Sequence, residues 1–264
     1  MATSKEVLGP TNSLRPGRPL DQDQLDSLRL DCQDQSPQEI NYLCQLTAIT
    51  HDALLQYYGK YIPCPKTHQE IFDRFIFAHP PVYRAFFDHW ISSKITKTTT
   101  THLEPGSKGL MRAFDVPEGH LVIGYIPDVW KELDEAKKIE LTRSSGGIKK
   151  AKHFVYYLEA VFQIAHETVH LYQDHQALPL WFLECAAYFY TDKIIAKKKW
   201  ASLKIPSCEL PIKFYDFLIT KHGAAVHQLC FGSPVTRKKT KKILSEMTPG
   251  IQALIFPTMR TEKK

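Results

Sequence analysis

Residues 166–190 read HETVHLYQDHQALPLWFLECAAYFY, and this stretch decides the fold. An apolar pattern with helical spacing leads into it from about residue 149, and Pro179 interrupts that pattern. We therefore predict one long helix over about residues 149–175 and a second over about residues 180–197. Because only a short break separates them, the second helix can return antiparallel along the first.

Two histidines four residues apart lie on the first of these helices. His166 and His170 share one helix face, so both imidazoles can direct a ring nitrogen at one Zn²⁺ ion, at about 2.0–2.1 Å. Glu167 lies one step around the helix, near the metal but not on it. That is where a general base must be to take a proton from a metal-bound water. The HETVH sequence therefore predicts a metal site with a catalytic base.

A catalytic zinc site needs a third protein ligand and an open position. Glu184 follows His170 by fourteen residues, about one turn into the second helix. Its neighbours Leu183 and Cys185 belong to the most hydrophobic segment of the chain, where a carboxylate without a partner would be costly to bury. A metal cation removes that cost, so we predict that Glu184 is the third ligand.

The sequence offers two other sources of a third ligand. His175 follows His170 by five residues and points roughly a third of a turn off the metal face, which is typical of a solvent-facing residue near a helix end. The metzincin arrangement requires a glycine and a histidine where this chain has Gln173 and Gln176. Neither alternative is favoured.

These motifs carry a family resemblance. Residues 166–170, with His-Glu-x-x-His, and residues 179–187, with Pro-x-Trp-Phe-x-Glu-x-x-Ala, resemble the gluzincin branch of zincin metallopeptidases, and most closely its small peptidase MA-like proteins. The match covers residues 166–190. It implies an α+β, zincin-like fold, mostly helical, with a small mixed sheet before the active-site helix. It also implies zinc-dependent hydrolysis of a peptide or protein substrate, with one Zn²⁺ held by His166, His170 and Glu184 and with Glu167 as the catalytic base.

The chain departs from the family pattern after the third ligand. Cys185 stands in place of a glycine and Phe189 in place of a tyrosine, both at packing positions. Gluzincins also place a tyrosine or histidine from a later segment over the substrate carbonyl. Candidates for this oxyanion donor are Tyr215, His222 and His227, and each of them could equally be an ordinary packing residue.

Further expectations concern the surroundings of the site. Each metal-binding histidine needs an acceptor for its other ring nitrogen, and Asp174 and Asp192 are candidates. The strand predicted over residues 120–126 could be the sheet edge that holds an extended substrate by backbone pairing.

The rest of the chain is predicted as a flexible segment over residues 1–35 and a single domain over residues 36–264. Its first part, 36–93, is predicted to be helical, with capping boxes at Ser36–Glu39 and Thr67–Glu70. The second part, 94–197, holds strands over 94–103, 110–116 and 120–126, a helix over 129–141 capped by Asp128, and the two site helices. The third part, 205–256, is again helical, with helices near 211–222 and 239–247.

Composition favours a globular soluble protein. The 264 residues are 43% hydrophobic and 23% charged, and no segment has the length and apolarity of a transmembrane helix or a signal peptide, so we expect a cytoplasmic location. None of the six cysteines forms the C-x-x-C pair of a zinc ribbon.

Charge leaves rival functions open. Residues 193–264 hold 15 lysines and arginines against 4 acidic residues, so this basic third could bind nucleic acid or an anionic surface. A solvated basic face is favoured, because no nucleic-acid-binding motif accompanies the charge. A second rival is a catalytically silent zinc-binding relative that serves as an interaction module.

Overall fold

The computed structural model describes residues 36–84, 112–116, 119–126, 128–173, 177–197 and 209–256. The predictions for residues 1–35, for the strand over 94–103, and for Asp174, His175 and Gln176 lie outside these ranges. Within them the fold is α+β, mostly helical with one small sheet, as predicted at that level.

The first helix, α1 (Pro37–Tyr58), begins with a proline at its first position, where a missing N–H costs nothing. Ser36 makes no side-chain cap bond, so the capping box predicted there is wrong. The box predicted at Thr67 is confirmed at the start of α2 (His68–Phe72). The Thr67 hydroxyl accepts from the Glu70 backbone N–H, and the Glu70 carboxylate accepts from the Thr67 backbone N–H.

A three-stranded sheet follows, made of β1 (Phe75–Phe77), β2 (Arg112–Val116) and β3 (Gly119–Gly124) in the order β1-β3-β2. Strand β1 corrects the prediction that residues 36–93 are helical throughout, because it pairs in parallel with β3. Strand β2 pairs antiparallel with β3. The strand predicted as an edge over residues 120–126 is therefore the central strand, and β1 and β2 are the outer ones among the described strands.

Between the sheet and the site helices, one predicted helix is divided in two. A 3₁₀ turn over Val129–Glu132 comes first, and Asp128 makes no side-chain cap there, which corrects that prediction. Helix α3 (Glu135–Ser145) is capped instead by Asp134, whose carboxylate accepts from the Lys137 backbone N–H at 2.7 Å. Gly146 ends α3 with φ 72°, a left-handed conformation that glycine adopts without steric cost.

The predicted helix pair forms α4 (Ile148–His170) and α5 (Leu180–Lys197). The bounds predicted for the second helix are confirmed. The first ends at His170, five residues earlier than predicted, and a turn follows. The Pro179 carbonyl accepts hydrogen bonds from the backbone N–H groups of Phe182 and Leu183. The residue that interrupts the helical pattern therefore also provides the first hydrogen bonds of α5.

The C-terminal part holds α6 (Glu209–His222), α7 (Ala224–Cys230), α8 (Arg237–Leu244) and α9 (Pro249–Ile255), which confirms helices near 211–222 and 239–247. Two apolar clusters surround the pair α4 and α5. The larger one includes Phe182, Tyr190 and Tyr215, and the other joins α1 and α4 to the sheet. Among the described residues, no helix combines the length and the apolarity needed to cross a membrane.

Candidate metal centre

The last turn of α4 and the first turn of α5 bring three side chains together. Nε2 of His166 lies 3.5 Å from Oε2 of Glu184, and Nε2 of His170 lies 3.7 Å from Oε1 of the same carboxylate. The two Nε2 atoms are 3.2 Å apart. The return of α5 along α4 thus places Glu184 beside both imidazoles.

These separations fit a single small cation. Ligand atoms at about 2.05 Å from a tetrahedral ion are about 3.3 Å from each other. The separations of 3.2, 3.5 and 3.7 Å lie close to that value. His166 and His170 are buried, and the Glu184 side chain is 16% exposed, so the three groups lie largely beneath the protein surface. Zinc therefore fits these residues with shifts of a few tenths of an ångström.

The electrostatic environment of His166 favours positive charge. Burial alone would lower the pKa of His166, but the hydrogen bond and charge of Glu184, together with the charge of Glu167, raise it overall. The Glu167 side chain is itself buried, next to His166 on α4. Two carboxylates thus compensate a cation at this site, whether it is a proton or a metal ion.

The other ring nitrogen of His170 has a partner that the sequence did not suggest. Its Nδ1 lies 2.6 Å from Oε1 of Gln173, and Nε2 of Gln173 donates to the Leu183 carbonyl at 3.1 Å. Asp192, which was predicted to serve this purpose, forms no such bond, and its charge acts instead on Tyr58 of α1. Nδ1 of His166 is buried without a hydrogen-bond partner among the described groups.

The three candidate oxyanion donors are engaged elsewhere. The Tyr190 hydroxyl lies 2.7 Å from Nδ1 of His227 and 3.4 Å from the Tyr215 hydroxyl, which is fully buried. Nε2 of His222 lies 3.0 Å from a carboxylate oxygen of Glu246. No hydrogen bond or ring contact joins any of the three to a predicted metal ligand in the described part of the chain. These hydrogen bonds place none of the three side chains at the site, so their role as oxyanion donors stays a prediction.

A different tyrosine contacts the site. The Tyr188 ring lies 4.6 Å from the His166 ring, tilted by 52°, and Phe162 stacks on His166 at 6.2 Å. Tyr188 follows Glu184 by four residues, which puts both on one face of α5. The four-residue spacing of Glu184 and Tyr188 is the feature of the sequence from which this contact could have been predicted.

A second group, His51, Asp52 and His68, also has three potential ligand atoms within 4.8 Å of one another. Its shortest distance, 2.6 Å between Nε2 of His68 and Oδ1 of Asp52, is that of a hydrogen bond and is too short for two ligands of one ion. Nε2 of His51 is bonded to the Tyr172 hydroxyl at 2.7 Å. Hydrogen bonds thus join His68 to Asp52 and His51 to Tyr172, while Nδ1 of His51 is buried without a hydrogen-bond partner among the described groups.

No family model, curated protein or solved structure matches the chain. What the site can do therefore follows from its own groups. Two buried imidazoles and one carboxylate can hold a divalent ion, and a second carboxylate lies next to them. That combination can activate water beside a metal ion.

Proposed function

We propose that this chain is a zincin-like metallopeptidase that hydrolyses peptide bonds with one Zn²⁺ ion. The observation that carries the proposal is the meeting of Glu184 with His166 and His170 at distances close to those of a tetrahedral ion. The ligands come from two helices joined by a proline break, in the order that the gluzincin resemblance implies.

The donor set favours zinc over the hard cations. Two imidazoles and one carboxylate are the protein ligands of several catalytic zinc sites, whereas Mg²⁺ and Ca²⁺ prefer sites built from oxygen. A catalytic zinc ion would also need a fourth position for water or substrate. His166, His170 and Glu184 would hold the ion.

Zinc at this position would supply a Lewis acid that polarises a carbonyl and lowers the pKa of water toward about 7. Glu167 would accept the proton of the attacking water on its carboxylate and return it to the leaving amine. Glu167 is buried and directly follows His166 in the chain, so its carboxylate would be shielded from bulk water.

Substrate binding would use the outer edge of β2, because β3 is paired on both sides. Strand β2 contacts α4, so a peptide paired with β2 would lie close to the helix that carries His166 and His170. In an antiparallel strand, neighbouring residues direct their N–H groups to opposite sides. Ala113→Pro and Phe114→Pro therefore remove N–H groups on opposite sides of β2. The variant that loses the N–H facing β3 should have a disrupted sheet, and the variant that loses the N–H at the outer edge should lose only peptide turnover. Normal turnover in both would contradict this binding mode.

A second candidate function is a zinc-binding relative without hydrolytic activity. The specific observation in its favour is that Tyr215, His222 and His227 are engaged in other hydrogen bonds. This candidate predicts bound zinc with no cleavage by the wild type.

The test combines elemental analysis with a peptide-library digest. Purified wild type should contain about one zinc per chain, Glu184→Ala should lose it, and Glu167→Gln should keep zinc but lose cleavage. Glu209→Gln, in an exposed pair with Lys213, is the matched control and should behave as wild type. Absence of zinc from the wild type would overturn the proposal, and zinc without cleavage would select the silent relative.

A further inference from the structure

Gln173 is a buried amide in the turn that follows α4. Its side chain makes three hydrogen bonds, to Nδ1 of His170 at 2.6 Å, to the Leu183 carbonyl at 3.1 Å, and to Sγ of Cys230 at 3.5 Å. These partners lie on three segments: the end of α4, the start of α5 and the end of α7. One residue thus links the second predicted ligand to the helix that carries the third.

The backbone carbonyl of Leu183 determines which atom of the Gln173 amide donates and which accepts. A carbonyl oxygen can only accept, so the Gln173 atom that faces the Leu183 carbonyl is the NH₂ group. The other terminal atom, which faces His170, is therefore the amide oxygen, and it too can only accept. It follows that Nδ1 of His170 carries the hydrogen.

This assignment leaves Nε2 of the neutral His170 ring without a hydrogen. That nitrogen is the one directed toward His166 and Glu184. A metal-binding histidine must present a bare nitrogen to the ion, and the bond to its other nitrogen selects which one that is. The Leu183 carbonyl thus sets the state of His170 through Gln173.

We infer that Gln173 is a positioning residue of the metal centre, which fixes the tautomer and the ring orientation of His170 and holds the start of α5 against it. The part of this inference that concerns zinc rests on the proposed function. The tautomer follows from the hydrogen bonds alone and holds without metal.

The contact with Leu183 has a second effect, because Leu183 directly precedes Glu184 in the chain. A single amide therefore ties the ring of one ligand to the backbone beside another. His166 has no comparable support, since its Nδ1 is buried without a partner among the described groups. Gln173 should accordingly control His170 and Glu184 more strongly than His166.

The experiment compares two substitutions in the full chain. Gln173→Met preserves length and volume but loses the acceptor, so the zinc affinity measured by chelator competition should fall about 10- to 100-fold. Gln173→Glu retains an oxygen that accepts from Nδ1, so it should bind zinc more tightly than Gln173→Met. Gln69→Met, at an exposed position, should bind zinc as wild type does. Equal losses in both Gln173 variants would overturn the role of the oxygen acceptor in orienting His170, and no loss in either would overturn the whole inference.

The second measurement needs neither zinc nor a variant of Gln173. Nitrogen-15 NMR of histidine-labelled, metal-free protein reports which ring nitrogen carries the hydrogen, and His170→Asn identifies the His170 signals. A hydrogen on Nδ1 supports the inference even if Gln173→Met fails to fold, and a hydrogen only on Nε2 overturns it. If the wild type binds no zinc but shows the Nδ1 tautomer, the proposed function fails while the tautomer assignment stands.

Discussion

Zinc should stabilise the folded chain by an amount that can be calculated. The proposed ligands His166, His170 and Glu184 come from two helices, so the site would be assembled only when α4 and α5 are packed together. A ligand that binds only the folded state, at one hundred times its Kd, adds about 2.7 kcal/mol to the free energy of unfolding. For a domain of this size each kcal/mol raises Tm by about 2–4 °C. Zinc should therefore raise Tm by about 5–11 °C relative to chelator-treated protein.

The assay is thermal unfolding followed by circular dichroism, with and without excess zinc. Glu184→Ala should lose most of the zinc-dependent rise in Tm, because two imidazoles alone form an incomplete site. Asp52→Ala removes a carboxylate from the other histidine-containing group and should keep the full rise. A rise that survives in Glu184→Ala and disappears in Asp52→Ala would place the metal in the wrong group and refute the reasoning.

Three further predictions concern single residues near or behind the site. Tyr188→Phe should bind zinc as wild type does, because its ring still contacts His166. Tyr188→Ala loses an aromatic contact of about 0.5–1.5 kcal/mol, so it should bind zinc about 2- to 12-fold more weakly. Equal zinc affinities of the two variants in chelator competition would contradict this prediction. Burial lowers the pKa of His51 to about 4, below its usual value of about 6.5, so the unfolded chain binds the extra proton and the free energy of unfolding should fall by about 2 kcal/mol between pH 7 and pH 5. Urea unfolding should show a smaller fall in His51→Gln, and an equal fall would argue against this cause. Cys185→Gly introduces the glycine of the gluzincin pattern at a buried position. It should cost roughly 1 kcal/mol of stability yet retain zinc, and loss of zinc would show that the position does more than pack.

The helix pair was predictable because its signals are local. The spacing of His166 and His170 places both on one helix face, and Pro179 marks the break after which α5 starts at residue 180. A short connection then leaves few ways to place Glu184. Local periodicity and chain connectivity were sufficient here, and no distant pairing had to be known.

The sheet was predicted less well because its pairing joins distant segments. The aromatic and branched residues of Phe75–Phe77 follow a correctly predicted capping box, so they read as a continuation of α2. They form a strand because β3, more than forty residues later, offers a parallel partner. The same pairing makes β3 central and leaves β1 and β2 as the outer strands among those that the structure describes. Strand order depends on which distant segments pair, and the residue pattern within a single strand does not indicate its partner.

The cost of burying a polar group made Glu184 predictable from the sequence, but it gave no indication of Gln173. Glu184 could be assigned because an acid between Leu183 and Cys185 contrasts with its neighbours and requires a partner. Gln173 lies between Tyr172 and Asp174, so nothing in the local sequence indicates that its amide is buried. Its burial follows from α4 ending at His170, which turns the chain toward Leu183 and Cys230. A polar residue that stands out in the sequence can be proposed as a ligand, whereas a residue that would orient that ligand is recognised only when the two helices are in place.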